Sequence, residues 1–257
     1  IRSVETREGA ARRVGAAGDR EDQRQDEITH GCPRRRLQGN TLGTICVKSS
    51  PRARVSFETG MVQLGGHAIF LASHDSQIGR GEPVQDTARV LSRYLDGIMI
   101  RPYAQKEVED LADYGTIPVI NGLTDFCHPC QVLADLMTVR EKFAVLEGLK
   151  MCYIGDGNNM ANSLSVGGLK TGMQVSVATP EGYRPHADGL AFAEGKPAFF
   201  LTDDPMKSAE NADVVITETW ASMGMEAEKE VRMKAFKGYQ VNDELLAAAK
   251  PGCMVQH

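Results

Sequence analysis

A chain of 257 residues, 42% of them hydrophobic, can bury a substantial core, and its length fits two compact lobes. The net charge of −5 excludes a broadly basic surface of the kind that binds nucleic acid. No stretch reaches the roughly 18 consecutive apolar residues that span a bilayer, and the six cysteines lie in a chain without a secretion signal. These features predict a cytoplasmic protein with reduced thiols and no membrane or nucleic-acid partner.

The front of the chain differs in composition from the rest. Residues 1–40 contain nine arginines, seven acidic residues and no lysine, and their apolar residues follow neither a helical nor a strand period. Such a segment supplies charge without an apolar face, so we expect residues 1–36 to lie outside the packed core. Two interpretations stay open: a disordered charged arm, or a stretch that is not the natural product of its reading frame, since Lys48 is the first lysine.

From Leu42 onward, short apolar runs alternate with amphipathic segments, which indicates parallel strands joined by crossover helices. In the first lobe we predict strands at 42–47, 68–72, 97–101 and 117–121, with helices at 53–65, 86–95, 105–114 and 129–144. In the second lobe we predict strands near 150–154, 174–178, 198–201, 213–217 and 253–256, with helices near 158–171, 187–194, 205–210 and 227–248. The sequence therefore predicts an α/β protein of two doubly wound parallel-sheet lobes, whose ligands bind beyond the carboxyl ends of the strands.

The segment after the first strand has the pattern of an anion-binding helix start. Ser50 is a suitable N-cap and Pro51 an ideal first helical residue. Backbone N–H groups, the positive end of the helix dipole and Arg52 would then converge on one point. An ordinary capped helix start explains the same residues and stays open as the alternative.

Polar side chains also follow the third and fourth strands. Arg101 ends the third strand, and His128 and Gln131 are spaced i, i+3 across a helix start, so both of these side chains can face one ligand. Together with Arg52 they offer donors for a phosphate and for a polarised carbonyl. Residues 127–130 also have C-x-x-C spacing, but further metal ligands at comparable spacing are missing and the motif does not follow the first strand of its unit. We therefore predict no metal site.

Two segments of the second lobe invite further interpretations. Residues 154–161 follow a strand and open a helix, as in dinucleotide-binding proteins, but Ala161 stands near the expected third glycine and no acidic residue closes the next strand. A nicotinamide-dependent oxidoreductase is therefore a weak alternative. After a later strand come Glu218, the only tryptophan, Trp220, and the tripeptide 222–224, which fit either a mobile lid or a loop with a core tryptophan.

Taken in order, these segments resemble the carbamoyltransferases, and the resemblance runs from about Leu37 to His257. Four stretches carry it. They are residues 50–54, similar to the family pattern Ser-Thr-Arg-Thr-Arg; the intact His-Pro-x-Gln pattern at 128–131; residues 76–82, similar to a loop that family members lend to a neighbouring subunit; and residues 86–91.

The Ser-Met-Gly tripeptide at 222–224, with which residues 155–160 agree, resembles the ornithine rather than the aspartate branch of this family. The resemblance implies an active site between the two lobes, a homotrimer or a multiple of it, and no cofactor. The implied reaction transfers the carbamoyl group of carbamoyl phosphate to the δ-amine of L-ornithine, giving L-citrulline and phosphate, as in arginine biosynthesis or the urea cycle. Residues 37–140 would be the carbamoyl phosphate-binding domain and 141–257 the ornithine-binding domain.

The resemblance also assigns roles to individual residues. The carbamoyl phosphate ligands would be Ser50, Pro51, Arg52, Ala53, Arg101, His128 and Gln131, with Gln77 from the adjacent subunit. Of these, Arg101 and His128 would be catalytic, because they would stabilise the negative charge that develops on the carbonyl oxygen. The α-amino and α-carboxylate groups of ornithine would be bound by Asn159, Glu218, Ser222 and Met223.

The sequence departs from the family pattern at three places. Pro51 and Ala53 replace both threonines of the phosphate motif, and Glu218 stands where the family has aspartate. The chain stops at His257, where the family continues Cys-Leu-Pro, so we expect the C-terminal end to be incomplete. These departures support one alternative function, a catalytically impaired carbamoyltransferase-like protein that binds a ligand without converting it.

Overall fold

The computed structural model describes residues 35–47, 50–72, 81–221 and 226–257. Gln77, Ser222, Met223 and most of the segment 1–36 lie outside the described residues. The chain divides into two compact units, of which the first ends at Thr124 and the second begins at Asp125. Within the described ranges, no helix is both long enough and apolar enough to cross a membrane.

Unit 1 is a four-stranded parallel sheet with the strand order β2-β1-β3-β4. Its strands are β1 (Thr41–Cys46), β2 (His67–Ala72), β3 (Gly97–Arg101) and β4 (Val119–Asn121), and its crossover helices are α1 (Pro51–Gln63), α2 (Val84–Leu91) and α3 (Gln105–Tyr114). The chain leaves β1 for β2 on one side and then returns to β3 on the other. The winding therefore reverses between β1 and β3, and doubly wound sheets bind their ligands at such a switch point.

Apolar side chains cover both faces of this sheet. Along β3, Ile98 and Ile100 pack in one buried cluster with Leu111, while Met99 packs in another with Met61. Successive side chains of a strand point to opposite faces, so this alternation places buried clusters on both sides. The apolar runs that predicted buried parallel strands are explained by this double coverage.

Unit 2 is a five-stranded parallel sheet with the strand order β7-β6-β5-β8-β9. Its strands are β5 (Lys150–Ile154), β6 (Gln174–Ala178), β7 (Phe199–Thr202), β8 (Val214–Thr217) and β9 (Met254–Gln256). Its α-helices are α4 (Pro129–Phe143), α5 (Asn159–Lys170), α6 (Ala187–Ala193), α7 (Pro205–Ala209), α8 (Lys229–Ala235) and α9 (Asp243–Ala248). The winding reverses between β5 and β8, which makes a second switch point. The prediction of two doubly wound α/β lobes is confirmed.

The helix α4 joins the core of unit 2. Its buried side chains Val132, Leu136 and Val139 pack in one cluster with Met151 and Tyr153 of β5. This packing brings the start of α4, where the His-Pro-x-Gln pattern lies, onto the scaffold of the second sheet. The boundary between substrate domains at residues 140 and 141 stays a prediction.

The prediction of one helix over 227–248 was wrong. Gly238 has a φ of 96°, a conformation that favours glycine and cannot continue a helix, and the Asn242 side chain accepts a hydrogen bond from Leu245 N–H at 3.0 Å to cap a new helix. The two helices α8 and α9 result. Apolar spacing continued across the break because Phe236 and Tyr239 are buried in the turn as well, so periodicity alone could not reveal it.

Candidate active site

The first helix of unit 1 begins as the sequence predicts. The Ser50 hydroxyl accepts a hydrogen bond from Ala53 N–H at 3.4 Å, and Pro51 occupies the first helical position. Arg54 N–H donates to the Ser50 carbonyl at 3.1 Å, so Arg52 carries the remaining backbone donor of this described first turn. The turn contains no acidic residue, and its partial positive charge is therefore available to an anion.

Arg101 lies at the same edge of the sheet as this helix start. Its strand neighbour in the register is Cys46, the last residue of β1. Burial lowers the pKa of the Arg101 guanidinium, and the nearby charge of Arg52 also lowers it. The Nε atom of Arg101 is buried and has no hydrogen-bond partner among the described atoms. Two neighbouring arginines, one of them with an unpaired buried donor, are groups that a bound anion would stabilise.

The second arginine of this motif is used differently. Arg54 stacks over the Phe70 ring, with its guanidinium carbon 3.9 Å from the ring centroid, and its Nε pairs with Glu58 at 2.7 Å. These contacts hold the side chain against the sheet. Arg54 therefore supports the helix, and Arg52 and Arg101 are the arginines that the structure offers to a ligand.

His128 is the N-cap of α4, and one of its ring nitrogens serves as the capping acceptor. Its Nδ1 accepts a hydrogen bond from Gln131 N–H at 3.4 Å, and Pro129 follows at the first helical position. In this contact Nδ1 is the acceptor, so Nε2 is the ring nitrogen that can carry a donor N–H. An N–H donor has the chemistry that a developing oxyanion needs.

The amide of Gln131 is oriented by the next turn of the same helix. Gln131 Nε2 donates to Asp135 Oδ1 at 2.9 Å. The pKa of Asp135 is raised, because burial, the largest cause, and the neighbouring Glu218 outweigh the lowering effect of the hydrogen bond from Gln131. Because the NH₂ end of the Gln131 amide is bonded to Asp135, the carbonyl end, Oε1, is suited to accept a hydrogen bond from a ligand N–H.

The described residues predicted to bind the amino acid lie at the switch point of unit 2. Asn159 is the first residue of α5, which follows β5 after a short loop, and Glu218 directly follows β8. The two strands pair through Ile154 and Thr217, so their carboxyl ends are adjacent. An amide and a carboxylate at adjacent strand ends suit the charged groups of an amino acid. The contacts of Ser222, Met223 and Gln77 stay predictions.

Arg232, whose role the sequence did not indicate, links the loop after β5 to the loop after β8. Its Nη1 donates to Asp156 Oδ2 at 2.7 Å and to the Trp220 carbonyl at 3.1 Å, and its Nε donates to Glu228 at 2.9 Å. Burial opposes the charge of Arg232, but the hydrogen bonds to Asp156 and Glu228 outweigh it and raise the pKa. The side chain lies in α8, 12 residues from Trp220 and 76 residues from Asp156, so no local motif could have indicated that it joins the two loops.

Trp220 is partly buried and packs against the core, which agrees with one of the two interpretations of its loop. Its ring stacks on Phe236 with centroids 5.8 Å apart, and both belong to one hydrophobic cluster with Tyr183. Together with the hydrogen bond from Arg232, this contact anchors the segment that leads to residues 222–224. The lid interpretation concerns those residues, which lie outside the described ranges.

Gly157, in the loop after β5, packs directly against the backbone of the loop after β6. Gly157 N–H donates to the Tyr183 carbonyl at 2.8 Å, and a Cβ at Gly157 would overlap backbone atoms of Tyr183, Arg184 and Pro185. The loop after β6 therefore occupies the space beside Gly157 that a pyrophosphate would fill in a dinucleotide site. This packing argues against the nicotinamide-dependent alternative.

Replacing Gly157 by alanine should therefore destabilise unit 2 strongly. A backbone overlap is relieved only by moving the loop at 183–185, and such strain typically costs about 1–3 kcal/mol. Urea denaturation measures the loss. Gly60→Ala is a matched control, since nothing lies within 4 Å of the position that its Cβ would take and alanine favours a helix; equal stability of the two variants would contradict this packing.

Of the two cysteines of the C-x-x-C pattern, Cys127 precedes α4 and Cys130 lies in its first turn. Burial raises the pKa of the Cys130 thiol. Among the described residues, no group of three or more histidine, cysteine or acidic side chains is placed to hold a metal ion.

Comparison with known proteins identifies the family to which these features belong. The sequence profile described as "Aspartate/ornithine carbamoyltransferase, carbamoyl-P binding domain" matches residues 10–141, and the profile described as "Aspartate/ornithine carbamoyltransferase, Asp/Orn binding domain" matches residues 147–257. The chain belongs to the aspartate/ornithine carbamoyltransferase family. The two switch points that carry the polar side chains thus fall one in each domain of this family.

Individual family members are similar over most of the chain. The anabolic ornithine carbamoyltransferase of Pyrococcus furiosus is 54% identical over 232 residues, which is 88% of this chain and 74% of that protein. The solved ornithine carbamoyltransferase structure from Pyrococcus furiosus superposes with a TM-score of 0.85 at 52% identity, covering 91% of this chain and 76% of that one. The anabolic enzyme from Campylobacter jejuni gives a TM-score of 0.82 at 34% identity, covering 91% and 78%.

Proposed function

We propose that this protein transfers the carbamoyl group of carbamoyl phosphate to the δ-amine of L-ornithine, giving L-citrulline and phosphate, without a cofactor. The observation that carries this proposal is the division of chemistry between the two switch points. Unit 1 offers Arg52 and Arg101 to an anion, and unit 2 offers an amide and a carboxylate to an amino acid. The 54% identity to an ornithine enzyme supports ornithine as the second substrate.

The side chains suit each part of carbamoyl phosphate. Arg52 and the start of α1 would hold the phosphate. The carbonyl oxygen would accept from Nε2–H of His128 and from the Arg101 guanidinium, and the carbamoyl NH₂ would donate to Gln131 Oε1. The Gln131–Asp135 hydrogen bond supports this last contact, because it turns the acceptor end of the amide away from Asp135.

The same contacts would lower the barrier to transfer. The neutral δ-amine attacks the carbonyl carbon, a C–N bond forms, and negative charge develops on the carbonyl oxygen. The C–O bond to phosphate then breaks, phosphate leaves with the electron pair, and the nitrogen loses a proton. Donors that are already oriented toward the oxygen stabilise this charge without reorganisation, which is the role we assign to His128 and Arg101. Asn159 and Glu218 would orient the α-amino and α-carboxylate groups.

A product assay tests this function. The purified protein is incubated with carbamoyl phosphate and either L-ornithine or L-aspartate, with a protein-free reaction as control, and citrulline and carbamoylaspartate are quantified. We expect citrulline alone. Carbamoylaspartate would overturn the choice of ornithine. Calorimetric binding of carbamoyl phosphate without either product would favour the impaired ligand-binding alternative.

We also propose that the protein assembles as a homotrimer or a multiple of it. Val55 and Val62 of α1 are 60% and 68% exposed, and Ile69 of β2, an outer strand of the described sheet, is 47% exposed. Val55 and Val62 are seven residues apart and so share one face of the helix, and an exposed apolar face is typical of subunit contacts. In that assembly Gln77 would reach the carbamoyl phosphate of a neighbouring subunit. Light scattering should give three times the chain mass or a multiple of that value, and a monomer mass would contradict the proposal.

A further inference from the structure

One hydroxyl in unit 2 contacts the backbone of a residue from each proposed substrate site. Ser163 Oγ accepts a hydrogen bond from His128 N–H at 2.8 Å and donates one to the Asn159 carbonyl at 2.7 Å. The side chain belongs to α5, and the residue is only 8% exposed. His128 is assigned to carbamoyl phosphate and Asn159 to ornithine. The Ser163 oxygen therefore forms a hydrogen bond with one residue of each proposed substrate site.

We infer that Ser163 is a positioning residue for carbamoyl transfer, which holds the His128 imidazole in its donating orientation through the His128 backbone. This inference rests on the proposed function for its catalytic consequence. Nothing in it requires Ser163 to touch either substrate. The Ser163 hydroxyl holds the His128 backbone at the start of α4. The position of that backbone determines the direction in which Nε2 points.

The position of His128 in the helix explains why its N–H needs this partner. An N-cap residue lies outside the hydrogen-bonding ladder of its helix, so its own N–H must find an acceptor elsewhere. Without Ser163 this part-buried N–H would lose its acceptor, and an unsatisfied buried donor typically costs about 1–3 kcal/mol. The backbone would relax to recover a hydrogen bond. A shift of about 1 Å in a catalytic group can cost about 10²-fold in rate.

A neighbouring side chain keeps the rest of this segment in place. Asn162, only 3% exposed, donates from Nδ2 to the Phe126 carbonyl at 3.0 Å and accepts from His186 N–H at 3.1 Å. The segment before α4 is therefore attached to α5 at two points. Loss of the Ser163 bond alone should reorient His128 without detaching the segment, so the effect should fall on the rate more than on folding.

The same helix supplies a matched control. Ser165 is 2% exposed, and its hydroxyl donates to the Ala161 carbonyl at 2.7 Å. Like Ser163, it bonds to the carbonyl four residues earlier in α5. Of these two hydroxyls, only that of Ser163 accepts from His128. The difference between Ser163→Ala and Ser165→Ala therefore isolates the contact to His128.

Steady-state kinetics provide the first arm of the test. We expect Ser163→Ala to lower kcat by about 10–100-fold with a smaller change in KM for ornithine, while Ser165→Ala keeps kcat within about twofold. In a His128→Ala background, Ser163→Ala should have little further effect, because residues that act through one another are non-additive. Equal kcat for Ser163→Ala and Ser165→Ala, or additive losses with His128→Ala, would overturn the inference.

Amide hydrogen exchange measured by NMR provides an arm that needs no activity. The N–H groups of His128 and Gln131 report on the Ser163 contact and on the imidazole cap, respectively. Both should exchange faster in Ser163→Ala and be unchanged in Ser165→Ala. Unchanged protection at Gln131 would overturn the inference even if His128 N–H were affected. Absence of citrulline from the unmodified protein would instead count against the proposed function, and the exchange data would still decide the role of Ser163.

A second pair of variants applies if Ser163→Ala does not fold. Ser163→Cys keeps the shape of the side chain, but the thiol is a weak acceptor, and Ser165→Cys is its control. A lower kcat and faster Gln131 exchange in Ser163→Cys alone would support the inference. Matching behaviour of the two cysteine variants would overturn it.

Discussion

Replacement of His128 by alanine is expected to lower kcat by about 10²–10³-fold, the loss typical of one oxyanion donor. The structure adds a second consequence, because Nδ1 of the same ring caps α4 through Gln131 N–H. Loss of an N-cap costs about 0.5–2 kcal/mol, so the variant should also melt at a slightly lower temperature. Citrulline formation and thermal denaturation measure the two effects on the same sample.

Substitution of His128 by asparagine separates these effects. Asparagine is a favourable N-cap, so His128→Asn should recover most of the lost stability. Its shorter side chain carries no group at the position of Nε2, and we therefore expect kcat to stay low. A His128→Ala variant with full activity would exclude the catalytic assignment, and so would recovery of full activity in His128→Asn.

Restoring threonine at residues 51 and 53 together should tighten carbamoyl phosphate binding by about 10²–10⁴-fold. Pro51 lacks an N–H, and Ala53 N–H donates to Ser50, so this helix start has fewer donors than the family pattern provides. The double variant adds one backbone N–H and two hydroxyls, and each hydrogen bond to a charged group is worth roughly 1.5–3 kcal/mol. Calorimetry with carbamoyl phosphate measures the change.

Thermal stability provides the control for this reversion. Pro51 and Ala53 are both favourable at the start of a helix, and the Ser50 cap is retained, so the melting temperature should change little. Single variants at each position show which residue matters, because Pro51→Thr adds an N–H and a hydroxyl whereas Ala53→Thr adds only a hydroxyl. Equal affinities before and after the double reversion would show that the phosphate is not bound at this helix start.

Much of the fold followed from the sequence because its signals were local. Apolar runs such as 97–101 and 150–154 match buried parallel strands, which need hydrophobic side chains on both faces. Ser50-Pro51 correctly marked a helix start, since capping depends on a few consecutive residues. Placement of Arg101 at the end of one strand and of Glu218 directly after another was equally local, and the parallel sheets brought each to a switch point.

The remaining features depend on contacts between distant parts of the chain. The local sequence does not distinguish Ser163 from other helix residues, because its hydroxyl bonds to His128, 35 residues earlier in the chain. Arg232 lies 76 residues from Asp156, and nothing in the spacing of either predicts their ion pair. Gly157 resembled a phosphate-binding glycine because close approach of any backbone requires glycine, whether the approaching group is a ligand or the chain itself.

The contrast between buried Arg232 and exposed Arg52 has a consequence for the response to ionic strength. Mobile ions screen exposed charges beyond about 10 Å at 0.1 M salt, whereas buried pairs are screened much less. The Arg232 side chain, bonded to Asp156 and 10% exposed, is hidden from those ions, while Arg52 faces them directly. The anions of a concentrated salt would thus compete with a ligand anion for Arg52 in unit 1. The Arg232–Asp156 ion pair would still hold the loops after β5 and β8 of unit 2 in place.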